Sequence, residues 1–514
     1  MKTLSDLEYL KLSKFRKFWY NFARFFVSIP RKIWHGIKAI GRFFKRIGVG
    51  FWNGLKDIGV TIVKGDWKTK VSYFIMGFGN IARGQVLRGL MFFLLEAAFV
   101  VFMIFVGAPN IAKLGTLGTA LTGDVEVEVC KPGIGCTTVH QHIYGDNSFQ
   151  ILLFGVLSIF FVVALIYSWI LNIKQNKIAE QIIASGKPLK SGKQDVQSLV
   201  DDQFHKTLLA LPLLGITIFT VMPTFFMILI AFTNYSGPSN IPPDGLFTWV
   251  GFRNFGSIFS WGNSSGDYFS AALGEILVWT LIWAFFATFT NYFLGMLVAL
   301  AINKKGIKGK KIFRGILVLT IAIPQFISLL YISNMFARDG VVNTLLSDFG
   351  WISKPLPFFE DKGWARITVI LINIWIGVPY LMLMISGVLM NIPADLYESA
   401  RIDGANPWQQ YTKITLPYTL FVTGPFLLTS FTGNINNFNV IYLLTGGGPK
   451  YGDIANANAG YTDLFITWIF KLISQNQNYY MASVIGIFVF VFVAFISLIV
   501  YNIMPSVKNE EDFQ

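Results

Sequence analysis

A series of apolar runs, each about as long as a helix that crosses a bilayer, constrains this chain more than any motif in it. A hydrocarbon core roughly 30 Å thick needs about 20 apolar residues in helical form. Runs of that kind lie near 87–107, 149–172, 208–232, 275–302, 313–336, 367–390, 418–443 and 481–503. In lipid each backbone polar group must be satisfied within the segment, so these runs read as helices. Hydrophobic residues make up 54% of the chain, charged residues 14%, and the mean hydropathy is +0.54. That is more apolar matter than a soluble domain can bury. The expectation is an all-α polytopic membrane protein with about eight transmembrane helices.

Lysine and arginine set the orientation, because cytoplasmic loops hold their excess. They crowd the N-terminal segment, the link with Lys174, Lys177, Lys187, Lys190 and Lys193, and the link with Lys304, Lys305, Lys308, Lys310 and Lys311. The alternate loops carry Asp124, Glu126, Glu128, Asp244 and Asp267. Both termini are therefore expected inside. No cleavable signal peptide is expected, since the first apolar run follows a long basic stretch. Within residues 1–84, Phe15, Phe18, Trp19, Phe22, Phe25, Phe26 and Ile29 recur at helical steps among Arg16, Lys17 and Arg24. After Pro30, Ile33, Ile37, Ile40, Phe43, Phe44 and Ile47 resume beside Lys38, Arg42, Lys45 and Arg46. This is the pattern of interfacial helices on anionic lipid, and it accounts for much of the net charge of +14. Nucleic acid is not an expected partner, because nothing here suggests a base-stacking fold.

The loop after the first run holds the only cysteines, Cys130 and Cys136, in VCKPGIGC. Pro132-Gly133 favours a turn, and the oxidising side of the membrane permits a disulfide. Two free thiols are the other reading, since spacing does not fix bond geometry. His140 and His142 nearby read as surface residues, so no metal and no cofactor is assigned. Residues 173–206 read as an inner linker. Its Ser-Gly-Lys pieces lack the glycine spacing and the Lys-Ser/Thr ending of a phosphate loop.

Between two apolar runs lies a polar island, NIPADLYESARIDGANPWQQYTKITLP, residues 391–417. Asn391 and Pro393 suit the start of one short helix and Gly404 its stop; Asn406 and Pro407 repeat the signal, and Pro417 bounds the second helix. The order Glu398, Ser399, Ala400, then Gly404, then Ile414, Leu416, Pro417 resembles the EAA motif of permease subunits in bacterial ABC importers. Ser399 stands where that motif has its middle alanine. The resemblance implies that this loop engages a separate ATPase.

Further along, Ser430, Asn434 and Asn437 stand at i, i+4 and i+7, which places them on one helix face beside Gly433. Tyr380 lies next to Gly377 and Pro379, where a span is expected to kink. Hydroxyl, amide and aromatic groups suit a neutral polyhydroxylated ligand; helix-to-helix hydrogen bonding is the plainer reading of the same residues. No lysine, arginine, aspartate or glutamate stands out in mid-span, as an ion path would require.

AFTNYSG (231–237), IPQFIS (323–328), IGVPY (376–380), SFTGNINNF (430–438), LLTGGGP (443–449) and AGYTDL (459–464) complete the pattern. Together with the 391–417 loop they resemble the larger permease subunit of bacterial maltose and maltodextrin importers, over the C-terminal three-fifths of the chain. The resemblance implies a six-helix permease core and three kinds of partner: a second permease, two cytoplasmic ATPase subunits and an external solute-binding protein. Tyr380, Ser430, Gly433, Asn434 and Asn437 match its sugar site, with Gly433 where that family has phenylalanine. A missing ring leaves room for longer or bulkier neutral oligosaccharides. The family's folded outer domain after AFTNYS is replaced by the short stretch 233–272.

The expected organisation is a basic arm (1–84), two additional spans with the cysteine loop and inner linker (85–206), a span with a short outer loop (207–274), the permease core (275–503) and an inner tail (504–514). A membrane transferase would need convergent carboxylates or histidines, and an ion-coupled carrier internal repeats and intramembrane charge; neither set is evident.

Overall fold

The computed structural model describes residues 65–131, 135–259, 267–304 and 306–503, with scattered positions between 16 and 63. Most of the expected interfacial arm, the Pro132-Gly133 turn and the tail lie outside the described residues. Among the described residues seven helices are long and apolar enough to cross a membrane, and a bent pair raises this to eight.

The helices used below are α1 (Val86–Phe102), α2 (Ser148–Ala184), α3 (Gly192–Val200), α4 (Phe204–Ile216), α5 (Met222–Ile230), α6 (Asp267–Phe285), α7 (Asn291–Asn303), α8 (Lys310–Ala322), α9 (Gln325–Met335), α10 (Lys362–Met390), α11 (Ala394–Ile402), α12 (Pro407–Gln410), α13 (Leu416–Ile435), α14 (Phe438–Thr445), α15 (Phe465–Ser474) and α16 (Tyr479–Ile503). The run expected to be one span at 313–336 is the bent pair, α8 and α9, which meet at 91°. Pro324 is the cause. It disfavours helical backbone at Ile323, which adopts φ −81°, ψ 127°, and it cannot donate to the ladder.

One β-hairpin departs from the helical expectation. β1 (Gly123–Lys131) and β2 (Gly135–Ile143) pair antiparallel, with Cys130 opposite Cys136. Val125, Val127 and Val129 alternate with polar residues, the period of a strand, and this was the missed signal. At the foot of the hairpin Asp146 accepts from Lys113 Nζ (2.5 Å) and from the Thr119 N–H (2.9 Å). These bonds, that of Lys113 first, hold its carboxyl down to about 2. The carboxylate's contribution to the clasp is therefore fully present above the usual carboxylate range and is lost as pH falls through about 2.

The chain forms two compact units, Met1–Ala108 with Ser158–Leu213, and Pro109–Leu157 with Leu214–Gln514. In the first, residues 66–85 are fixed to α1 and α2 by buried polar groups. Arg83 reaches Asn176 Oδ1 (2.8 Å), Thr69 Oγ1 (2.6 Å) and Asp66 (3.1 Å), and Asn172 Oδ1 accepts from the Gly77 N–H (3.0 Å). The Met76 N–H donates to Glu96 at 2.7 Å. Glu96 lies ten residues into α1, about 15 Å along its axis. The expectation of no mid-span charge is therefore corrected: this carboxylate is kept by a backbone donor that reaches it. In the second unit, Glu275 on α6 takes Lys362 and Arg366 of α10, both at 2.7 Å. Arg366 also lies over the Trp279 ring and donates to the Tyr461 carbonyl. Asp463 and Lys471 form a fully buried ion pair, so the 446–464 segment is tied to α15.

Candidate functional site

Two places in the second unit carry the expected functional residues. The first is the 391–417 loop. Asn391 closes α10 and Pro393 occupies the cap position of α11, so the sequence reading set this boundary two residues early. Gly404 has φ +77°. Its N–H donates to the Arg401 carbonyl (3.0 Å) and the Ala405 N–H to the Ala400 carbonyl (2.8 Å). This pair of bonds is the Schellman ending that a left-handed glycine supplies. Asn406 then forms a capping box with Gln409, as its position before Pro407 implies.

The second helix does not stop at Pro417. It runs through a π turn, Tyr411–Thr415, into α13. A proline inside a helix loses one ladder bond and crowds the carbonyl four residues back. The widened turn just before Pro417 accommodates both defects. Tyr397 Oη bonds Thr415 Oγ1 at 2.8 Å, tying α11 to this turn. Glu398, Ser399 and Gly404 are exposed, and Ile402 is 87% exposed. Ala400, Ile414 and Leu416 are half-buried and Pro417 is exposed. Behind the loop, Leu297, Asn303, Lys304, Tyr397, Arg401 and Trp408 help line a cavity of about 660 Å³. The loop thus presents an uncovered apolar and acidic surface, with a fixed turn at its tip.

The second place centres on Asn434. Its Nδ2 donates to Thr288 Oγ1 (3.0 Å), its Oδ1 accepts from Asn437 Nδ2 (3.3 Å), and its carbonyl accepts from Trp283 Nε1 (3.1 Å). Thr288 is buried inside a second π turn, Phe286–Thr290, which joins α6 to α7. The single helix face expected for Ser430, Asn434 and Asn437 is corrected. α13 ends at Ile435, and Asn437 caps α14 by accepting from the Val440 N–H (3.3 Å). Asparagine side chains compete with the helical ladder in this way, and the run NINN invites a break.

Ser430 and Asn434 remain on one face of α13, Ser430 half-buried. Beside them Gly433 is exposed, and a Cβ there would meet nothing within 4 Å. Tyr380 is 54% exposed and rests against Phe426, at 6.4 Å between ring centres. Phe426 precedes Asn434 by eight residues, about 12 Å along the helix. Tyr380 therefore lies about two helical turns from Asn434, outside its node. Its neighbour Gly377 meets Asn291 so closely that a Cβ would lie 2.2 Å from Nδ2.

Residues 291–509 match the model of the binding-protein-dependent transport system inner membrane component. The maltodextrin transport system permease protein MalC of Streptococcus pneumoniae serotype 4 is 32% identical over 455 residues, 86% of this chain and 97% of that protein. The chain belongs to this permease family. The galactooligosaccharides transport system permease protein GanP of Bacillus subtilis is 33% identical, over 85% of this chain and 97% of its own length. The maltose/maltodextrin transport system permease protein MalF of Escherichia coli is 33% identical over 51% of this chain and 50% of that protein.

As a multi-pass inner-membrane permease, the chain carries its family match over α7 to α16. Thr288 lies just before that match, and sequence reasoning missed both it and Trp283. A tryptophan N–H in a span must find an acceptor, which was the one available signal. Nothing in FFATFTN announces a π turn.

Proposed function

We propose that this chain is the translocating permease of an ATP-driven importer of neutral oligosaccharides of the maltodextrin class. The observation that carries the reading is the Asn434–Asn437–Thr288 amide and hydroxyl node beside the open surface at Gly433. Each carboxamide retains hydrogen-bonding capacity beyond the bonds it makes, which suits sugar hydroxyls. Tyr380 and Ser430 border the path. Glu398, Ser399, Ala400, Gly404, Ile414, Leu416 and Pro417 form the coupling surface for a separate ATPase.

The working assembly is this chain, a second permease, two cytoplasmic ATPases and an external solute-binding protein. Both termini and the Glu398 loop lie inside. The chain turns ATPase closure into rocking of its spans, so sugar delivered from outside reaches the node. A galactooligosaccharide is the second reading, supported by the comparable identity to GanP. Co-purification of the chain from its own cells, with mass spectrometry of bound proteins and sugar, tests the assembly. Recovery without an ATPase subunit would count against it.

In the outer loop, directly opposed antiparallel residues have Cα atoms about 4.5–5.5 Å apart, within disulfide reach. Cys130 and Cys136 are therefore expected to resist alkylation in intact cells until a reductant is added. Immediate labelling of both would mark them as free thiols. For the basic arm, full chain in anionic liposomes should show slower proteolysis of residues 1–60 than in neutral liposomes. Replacing Arg42, Lys45 and Arg46 with glutamine should remove most of that difference, and salt should do the same. Protection indifferent to lipid charge would end the anchoring idea.

A further inference from the structure

Helix α14 has two unlike faces. Val440, Ile441 and Leu444 are buried in a core with Trp283, Leu329 and Ile372. Phe438, Asn439 and Tyr442 share the other side, since positions three and four apart are neighbours on a helix. Phe438 stacks on Tyr442 at 4.8 Å and 19°. Phe470 meets both rings edge-on at 5.1 Å. It comes from α15, which buries Phe465, Trp468 and Leu472 and leaves Phe470 38% exposed.

Two carboxamides neighbour these rings in the chain. Asn436 and Asn439 are exposed, and their side chains make no bond to any described residue. Core packing would not leave two amides unpaired, and neither would a surface facing hydrocarbon, where such groups are costly. Exposed amides of this kind suit water or a polar ligand. Aromatic faces bordered by free amides in water are the chemistry of carbohydrate recognition: a ring covers the apolar C–H face of a pyranose, and amides pair with its hydroxyls. Lys471, on the same helix as Phe470, is buried against Asp463 and adds no free charge to the patch.

We propose that Phe438, Tyr442 and Phe470, with Asn436 and Asn439, form a second carbohydrate subsite, which holds the next ring or rings of an oligosaccharide seated at Asn434. The inference rests on the oligosaccharide reading and extends it. Asn437 belongs to the first site and caps the helix that carries the second. Tyr442 lies five residues further on, about 7.5 Å along the axis, within reach of a neighbouring ring. The subsite makes chain length, rather than the terminal sugar alone, a determinant of uptake.

The test is uptake of a labelled disaccharide and a labelled hexasaccharide by cells carrying the whole transporter, normalised to permease in the membrane. Tyr442→Leu and Phe470→Leu keep apolar bulk but remove a ring. Each should lower the hexasaccharide-to-disaccharide ratio of kcat/KM about tenfold, the size of one lost stacking contact. Tyr442→Phe should preserve most of that ratio. A ratio unchanged in both leucine variants overturns the subsite. Asn434→Ala separates this from the first site: if it loses every sugar while the leucine variants keep the ratio, only the subsite fails. If it transports every sugar normally, the sugar reading itself fails.

Discussion

Gly404→Asp is expected to abolish uptake while the permease stays in the membrane at its normal level. Two effects could follow from a side chain here, and the structure separates them. The first is backbone strain. Gly404 holds φ +77° at the end of α11, and a side chain in that region costs an L-residue about 1–2 kcal/mol. A loop held by the Tyr397–Thr415 bond and continuous with α13 can absorb that much. The second is external. A Cβ on Gly404 meets nothing within 4 Å of its own chain, so the added group projects from the exposed turn toward whatever docks there. Gly404→Ala distinguishes the two, because alanine meets the left-handed strain and adds only a methyl group. If strain were the defect, alanine would fail like aspartate; if a projecting group blocks docking, alanine should keep most of the uptake. Glu398→Ala, which removes an exposed carboxylate without touching the backbone, should cost about tenfold, the size of one charge-assisted contact. Full sugar-stimulated ATPase activity in reconstituted Gly404→Asp would end the coupling assignment.

Hydropathy made the spans legible because lipid allows few solutions: a run of sufficient length must be a helix. What it could not convey was how helices are interrupted. Pro324 bends its span by 91°, whereas Pro379 and Pro425 lie inside helices that continue. All three are prolines within apolar runs, so residue type alone does not separate the bend from the continuing helices. The π turn at 411–415 answers the nearby Pro417, whereas no proline or other local break accompanies the one at 286–290. Glu96 was overlooked because its partner is a backbone N–H twenty residues earlier.

The polar loop was read more closely than the proposed sugar site. Caps, prolines and a left-handed glycine act locally, so Asn406 with Gln409 and Gly404 with Arg401 could be anticipated from adjacent residues. The Asn434 node assembles three segments. Thr288 precedes Asn434 by 146 residues, and no periodicity links them. Even within the node, helical spacing misled: Asn437 reaches Asn434 across a break, from the cap of the next helix.

That double role of Asn437 shapes the other large expected effect. Asn434→Ala should cut uptake at least tenfold. It removes hydrogen bonds to the sugar, each worth about 0.5–1.5 kcal/mol, and strands the Asn437 amide. Asn437→Ala should do as much, but it also deletes a helix cap worth about 1 kcal/mol. Asn437→Ser resolves the ambiguity, because serine caps α14 and lacks the reach of an amide. Uptake should stay low in Asn437→Ser if the amide serves sugar, and should recover if capping is its whole role. Thr288→Val, nearly isosteric, removes the acceptor that orients Asn434; it should raise KM for sugar several-fold, and Thr288→Ser should restore it. Gly433→Phe then probes the space beside the node. A Cβ there meets nothing within 4 Å, so the variant should insert normally and shift preference from longer oligosaccharides toward the disaccharide. Uptake of labelled sugars of graded length by the whole transporter reads all six variants together. Normal transport by Asn434→Ala and Asn437→Ser, with the length preference of Gly433→Phe unmoved, would make these side chains helix-packing groups and place the sugar path elsewhere.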